Sequence, residues 1–399
     1  MEVRFASHYG KLYLPADATA EAPCRVVMYL HGGFWKPQWN LHTLPTDALH
    51  RAFGKVAWWA VEYSRVDQAA PPASADGGGW PQTCVDVLRG ANALGDGTLP
   101  EDVQRRLDTR RVFVCGHSAG GQLALWLAQY SRLPPARRSE LAEAARPACS
   151  AADAACVAAG VHAGVCLVGV VGLAPIASLR AAALDGLSDF HDAAINFMWR
   201  AGPTADAAAP ALAAACPTSL REQLPMLGGD APPLSTLLIH GAEDTDVPAS
   251  ASVEFATRAW AVEGVHPVWL CIVPGADHYV VAGLGDLSNA PYQKPWATVC
   301  DALSAFVHGE EDALSAICCH AEDARSLCTM VPLHTCARHT VEAIVNGGTA
   351  REELEKKCTE QPDFEDAITR GLRRWCAWTG EGQPELVEWL DNRSGLREK

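Results

Sequence analysis

Arg111-Val112-Phe113-Val114-Cys115-Gly116-His117-Ser118-Ala119-Gly120-Gly121, followed by the run from Gln122 to Tyr130, decides how this chain folds. Residues 111–115 have the composition of a buried strand and residues 122–130 that of a helix, with only six residues between them. A chain reverses from strand to helix in so short a space through a sharp turn that only small residues fit, and Gly116 and Gly120 allow it. Ser118 stands at the apex of this G-x-S-x-G. Its hydroxyl is lifted above the sheet, close to a helix N-terminus that favours developing negative charge. Ser118 is therefore a candidate nucleophile, the alternative being a glycine-rich turn without chemistry.

Working outward, Arg25 to Leu30 reads as a strand that ends abruptly in His31-Gly32-Gly33, and Lys55 to Tyr63 reads as a second. A loop rich in Ala, Pro and Gly (Ala69 to Gly79) leads through Trp80-Pro81 into a helix carrying Val85, Leu88 and Leu94, with Pro81 in its first turn. Val165 to Val171, Thr236 to Ile239 and Val268 to Val273 are further strands. Strands alternating with helices predict an α/β fold with a mostly parallel sheet covered on both faces. Residues 132–163 predict a helical insertion at the sheet's edge, and 180–234 form an Ala- and Pro-rich stretch with aromatics at Phe190, Phe197 and Trp199. After Phe306 the strands are expected to stop. The organisation is thus a domain over residues 1–307 and a helical extension over 308–399, with no fixed-period repeat.

A serine hydroxyl is a poor nucleophile until a base takes its proton, and the base needs an acid to orient it. In this turn context the order is Ser, then Asp or Glu, then His. His240-Gly241-Ala242-Glu243-Asp244-Thr245-Asp246-Val247-Pro248 places Glu243, Asp244 and Asp246 on a loop past one strand, and Pro274-Gly275-Ala276-Asp277-His278-Tyr279 places His278 past the last. Each loop alone is more often structural; their joint occurrence in this order points to catalysis. Backbone donors for a tetrahedral oxyanion are expected from the N–H groups of Gly33 and Phe34, in the loop His31 to Trp35, and of Ala119 after the nucleophile. Trp35 and His31 are grouped on the substrate side of that loop, with His31 expected to brace it by hydrogen bonding, not to titrate.

The set HGGFW (31–35), a strand ending in Val61-Glu62-Tyr63, GGGWP (77–81), GHSAGG (116–121), HGAEDTDVP (240–248) and GADHY (275–279) closely resembles the α/β-hydrolase superfamily. Within it the chain resembles the esterase and kynurenine formamidase (arylformamidase) branch, whose oxyanion loop reads H-G-G-x-W. The resemblance covers about residues 25–307 and is more specific for fold and triad than for substrate. It implies Ser118 as nucleophile, His278 as base and then acid, and Asp244 as the orienting acid, with Asp246 and Glu243 as fallbacks. It also implies an acyl-serine intermediate from a small-molecule ester or amide, and neither a metal nor an organic cofactor. Trp35 and Trp39 would border the pocket, and residues 180–234 stand where family members carry a cap. A serine exopeptidase of the prolyl-oligopeptidase type and a silent ligand-binding scaffold are the alternatives.

Composition narrows the field from another side. The 399 residues carry 47 acidic and 32 basic side chains, a formal charge of −15. That balance repels phosphate backbones and anionic headgroups, so neither nucleic acid nor a membrane surface is expected as a partner. Fifteen scattered cysteines without a C-x-x-C pair, and no apolar leader at the start, predict free thiols and a cytoplasmic setting. The extension gathers Cys318, Cys319, His320, Cys328, His334, Cys336 and His339 without paired zinc spacing, and no metal is expected there. Its apolar set, Leu372, Trp375, Trp378, Leu386, Trp389 and Leu390, suggests helices that pack on the main domain or on a partner, with packing on a core of its own favoured, and the extension leaves room for an oligomer.

Overall fold

The computed structural model describes residues 1–44, 46–66, 77–199, 202, 204–223, 234–260, 268–320 and 337–394. Within them the strands are β1 (Glu2–Phe5), β2 (His8–Tyr13), β3 (Cys24–Leu30), β4 (Ala57–Val61), β5 (Leu107–His117), β6 (Leu167–Leu173), β7 (Ser235–Gly241), β8 (Val268–Val273) and β9 (Cys319–His320). They form one sheet in the order β1-β2-β4-β3-β5-β6-β7-β8-β9. Every pair from β4 through β8 is parallel, whereas β1, β2 and β9 join antiparallel at the two ends.

Successive side chains of a strand point to opposite faces, and here both faces are buried, which is why the strands read as unbroken apolar runs. Val26, Met28 and Leu30 enter one apolar cluster with Val112, Val114 and Trp59. Val27 and Tyr29 enter the other with Cys115, Trp58 and Val171. The first cluster is covered by the helices Gln82–Asn92 and Ala119–Tyr130; all twelve residues of the latter are buried. The second is covered by the helix Ala290–His308.

Three expectations are corrected. Strands do not stop at Phe306: β9 pairs Trp269 with His320 and Leu270 with Cys319, a backbone contact too short to leave a side-chain period. The insertion, helices Pro135–Ala145 and Ala151–Ala159, lies on the helical layer and not at the sheet's edge, because Arg89 pairs with Asp153 at 2.7 Å and the Tyr130 hydroxyl donates to the Val157 carbonyl. The extension, helices Ala337–Asn346, Thr349–Glu360, Pro362–Thr379 and Pro384–Ser394, has no separate core. Its Leu372, Trp375, Trp378, Leu386, Trp389 and Leu390 belong to the same cluster as β3 and β5. Among the described residues twelve cysteines are free, and no helix is long and apolar enough to cross a membrane.

Candidate active site

The parallel strands deliver their C-terminal ends to one rim of the sheet, where ligands gather in open α/β folds. Ser118 follows the end of β5 and caps the helix Ala119–Tyr130 with φ 54° and ψ −118°. That is a strained conformation for a residue with a β-carbon, and it is held by neighbours on both sides. The Ser118 N–H donates to the Leu173 carbonyl at 2.9 Å, and the Ser118 carbonyl accepts from Ile176 at 3.2 Å and Gln122 at 3.1 Å. Gly120 must be glycine: a β-carbon there would stand 2.2 Å from the Leu30 carbonyl oxygen.

The loops after β7 and β8 bring Asp244 and His278 together. Asp244 Oδ2 lies 2.7 Å from His278 Nδ1, and Asp244 Oδ1 accepts the backbone N–H groups of Asp246 and Val247, each at 2.9 Å. A second imidazole also reaches this carboxylate: His240 Nε2 lies 3.2 Å from Asp244 Oδ2 and 3.0 Å from the Val247 carbonyl, while its Nδ1 faces Ser252 Oγ at 2.8 Å. Both Asp244 oxygens are thereby occupied. Asp246 supplies its backbone N–H, and Glu243 is exposed.

Burial alone would push the Asp244 carboxyl up, but the charge of His278 and hydrogen bonds from His240 and His278 hold it well below the carboxylate range. Burial would likewise push the His278 imidazole down. The charge and hydrogen bond of Asp244, with the charges of Asp246 and Asp277, outweigh it and leave His278 above its ordinary value. His117, whose ring centre lies 4.6 Å from that of His278, is pushed down to about 3 by burial and by the His278 charge, so it stays neutral beside the pair. Its Nε2 lies 2.9 Å from the His278 carbonyl and ties that loop to β5. Ser118 Oγ makes no side-chain hydrogen bond to His278 among the described residues; contacts of this kind often close only with substrate in place.

The loop after β3 lies over the serine: a β-carbon on Gly32 would stand 3.1 Å from Ser118 Cβ. The N–H groups of Gly33, Phe34 and Ala119 find no intramolecular acceptor among the described residues, so the chain leaves three donors open at this place. Beneath the loop, His31 is fully buried, with Nδ1 2.8 Å from the Gly32 carbonyl and Nε2 3.0 Å from Glu62 Oε1. Its ring stacks on Tyr63, whose hydroxyl donates to the His31 carbonyl at 2.6 Å. Both ring nitrogens of His31 are thereby engaged beneath the loop. Glu62 also accepts from Leu41 N–H and Tyr63 N–H and pairs with Arg65. Burial would raise the Glu62 carboxyl, yet His31 and Arg65 bring it down to about 2.

Trp35 is buried with its ring 4.6 Å from that of Phe197, whereas Trp39, packed on Gly33, is 38% exposed. Tyr279, beside His278, is exposed as well. Phe197 is fully buried, and Phe190 and Trp199 are partly so. Glu62, Lys36 and Asp189 were not picked out by sequence reasoning. Glu62 had a signal, since it ends a strand in the quoted motif; Lys36 and Asp189 had none, being 153 residues apart. Among the described residues no three or more His, Cys, Asp and Glu side chains could hold a metal ion. Of the cysteine and histidine set in the extension, Cys328, His334 and Cys336 lie outside the described residues.

Comparison with known proteins bears on the fold. No protein-family model matches the chain, and no curated protein does. Among solved structures it is similar to an inhibited esterase B from Lactobacillus rhamnosis, with a TM-score of 0.52 at 18% identity over 76% of this chain and 84% of that one. It also matches a hyperthermophilic esterase from the archaeon Pyrobaculum calidifontis (TM-score 0.49, 16% identity, 78% and 82% covered). A third match is Thermogutta terrifontis esterase 2 phosphonylated by sarin (TM-score 0.48, 18% identity, 76% and 91% covered). The first likeness, with the strand order above, gives the chain the α/β-hydrolase fold.

Proposed function

We propose that the protein is a cofactor-independent serine hydrolase that cleaves a carboxylic ester or an aryl-formyl amide. The observation that carries this reading is the convergence, on one rim of the sheet, of a strained Ser118, the His278–Asp244 pair at 2.7 Å and three open backbone donors. Asp244 takes Nδ1 of His278 and so leaves Nε2 to accept the Ser118 proton as Oγ attacks the carbonyl carbon. The oxyanion that forms is met by the N–H groups of Gly33, Phe34 and Ala119, donors fixed before the reaction begins. His278 then returns the proton to the leaving alcohol or amine. Water repeats the sequence on the acyl-serine and frees the acid.

The H-G-G-F-W loop supports the formamidase arm, and the exposed Trp39 packed on Gly33 offers an aromatic surface at its edge. The test is kcat/KM of wild type and Ser118→Ala on N-formylkynurenine and on short-chain p-nitrophenyl esters. Turnover of either substrate, abolished in a folded Ser118→Ala protein, supports the reading, and the preferred substrate decides between its arms. Turnover that survives the substitution overturns it.

A further inference from the structure

The oxyanion loop is strained. Gly33, Phe34 and Trp35 are successive residues at φ 104°, 50° and 55°, and two of them carry a β-carbon that disfavours this region. Backbone of this kind persists only where its surroundings over-determine it. One part of those surroundings is the turn at 188–192, which is strained too, with Ser188 at φ 145° and His191 at 66°.

The two strained segments are joined by Lys36. Its side chain is 1% exposed, and its Nζ lies 2.7 Å from Asp189 Oδ2, on a side chain that is 55% exposed. The ammonium also lies 5.5 Å from the ring centre of Phe34 and 5.1 Å from that of Phe190, within cation–π range of both. The C-terminal extension in turn grips the 188–192 turn. Helix Pro362–Thr379 crosses it so closely that a β-carbon on Gly371 would stand 1.7 Å from the Phe190 carbonyl oxygen. Arg374 reaches Asp192 Oδ2 and Asn196 Oδ1, each at 3.0 Å, and His191 Nε2 lies 2.7 Å from Thr340 Oγ1.

We infer that Lys36 is a positioning residue, tying the oxyanion loop through Asp189 to a turn that the C-terminal helices hold, so that the extension is part of the catalytic unit. The inference rests on the hydrolase reading above. A mispositioned donor pair costs turnover more than substrate binding, because the donors act on charge that develops in the transition state.

The test compares wild type, Lys36→Met, Asp189→Ala, Asp189→Glu and Arg374→Met on p-nitrophenyl acetate and its thionoester, with circular dichroism confirming the fold. Sulfur accepts hydrogen bonds poorly, so the oxygen-to-sulfur preference reads the donors directly. Asp189→Ala is expected to lower kcat on the order of tenfold, less than the roughly 10²–10³ lost when one oxyanion donor is removed outright. KM should stay within about twofold and the oxygen preference should fall, while Asp189→Glu restores both. Arg374→Met should move both in the same direction. Were Lys36→Met unable to fold, the half-exposed Asp189 would still decide the matter. A folded Asp189→Ala protein with wild-type kcat, or with lowered kcat and unchanged oxygen preference, overturns the inference. Wild type inert on both the ester and N-formylkynurenine would instead count against the hydrolase reading; where only the formyl amide turns over, its kcat and KM carry the comparison.

Discussion

Glu62→Gln is a sharp probe of the brace beneath the oxyanion loop. A carboxyl held at about 2, against an ordinary 4.5, stabilises the folded state by about 3 kcal/mol at neutral pH, at roughly 1.4 kcal/mol for each tenfold. Its folded pKa is depressed, so this contribution is present above the unfolded value and lost as pH falls from about 4.5 towards 2. Glutamine keeps the volume and removes the charge that His31 and Arg65 share. Urea unfolding of wild type and variant should therefore differ by about 3 kcal/mol at pH 7, and linkage reduces the difference to about half of that near pH 3. A difference below about 1 kcal/mol at pH 7, or one that does not shrink with acid, would refute the charge assignment.

The other predictions concern the proposed triad acid and the extension. His278 must be neutral to accept a proton, so kcat/KM should rise with pH through an ionisation above the ordinary histidine value of 6.5; a limb at or below that value contradicts the Asp244–His278 coupling. Asp244→Asn should lower kcat/KM by on the order of 10⁴ and move that limb to lower pH, since burial then acts on His278 with less opposition. Trp375→Ala removes a buried indole whose N–H donates to the Leu184 carbonyl at 3.0 Å. It should cost about 3–5 kcal/mol and shift one cooperative unfolding transition; a separate early transition of the extension would show that its core is independent.

What could be read in advance followed from chain-local constraints. The elbow was legible because a six-residue reversal from strand to helix leaves few choices, and the parallel strands because burial on both faces makes them continuous apolar runs. Asp244 was legible as the first choice among three carboxylates through resemblance alone, since which of them faces His278 depends on how the 240–248 loop turns: the Asp246 and Val247 N–H groups close on Asp244 Oδ1. β1 was less legible because it is four residues long, so its alternation of exposed and buried positions, as an edge strand should show, spans only two periods. The Lys36–Asp189 pair and the merging of the extension into the main core are long-range, and no local period encodes contacts between segments so far apart.

Trp39 offers a use beyond its place on the oxyanion loop. Among the tryptophans whose burial the structure describes it is the most exposed, while Trp199 and Trp296 are half-buried and Trp35, Trp58, Trp59, Trp80 and Trp126 are buried. A neutral contact quencher such as acrylamide reaches this indole more readily than the buried ones, so part of the quenchable emission comes from the loop that lies over Ser118. Occupancy of the site can thus be followed optically in the unmodified protein, without a label and without turnover.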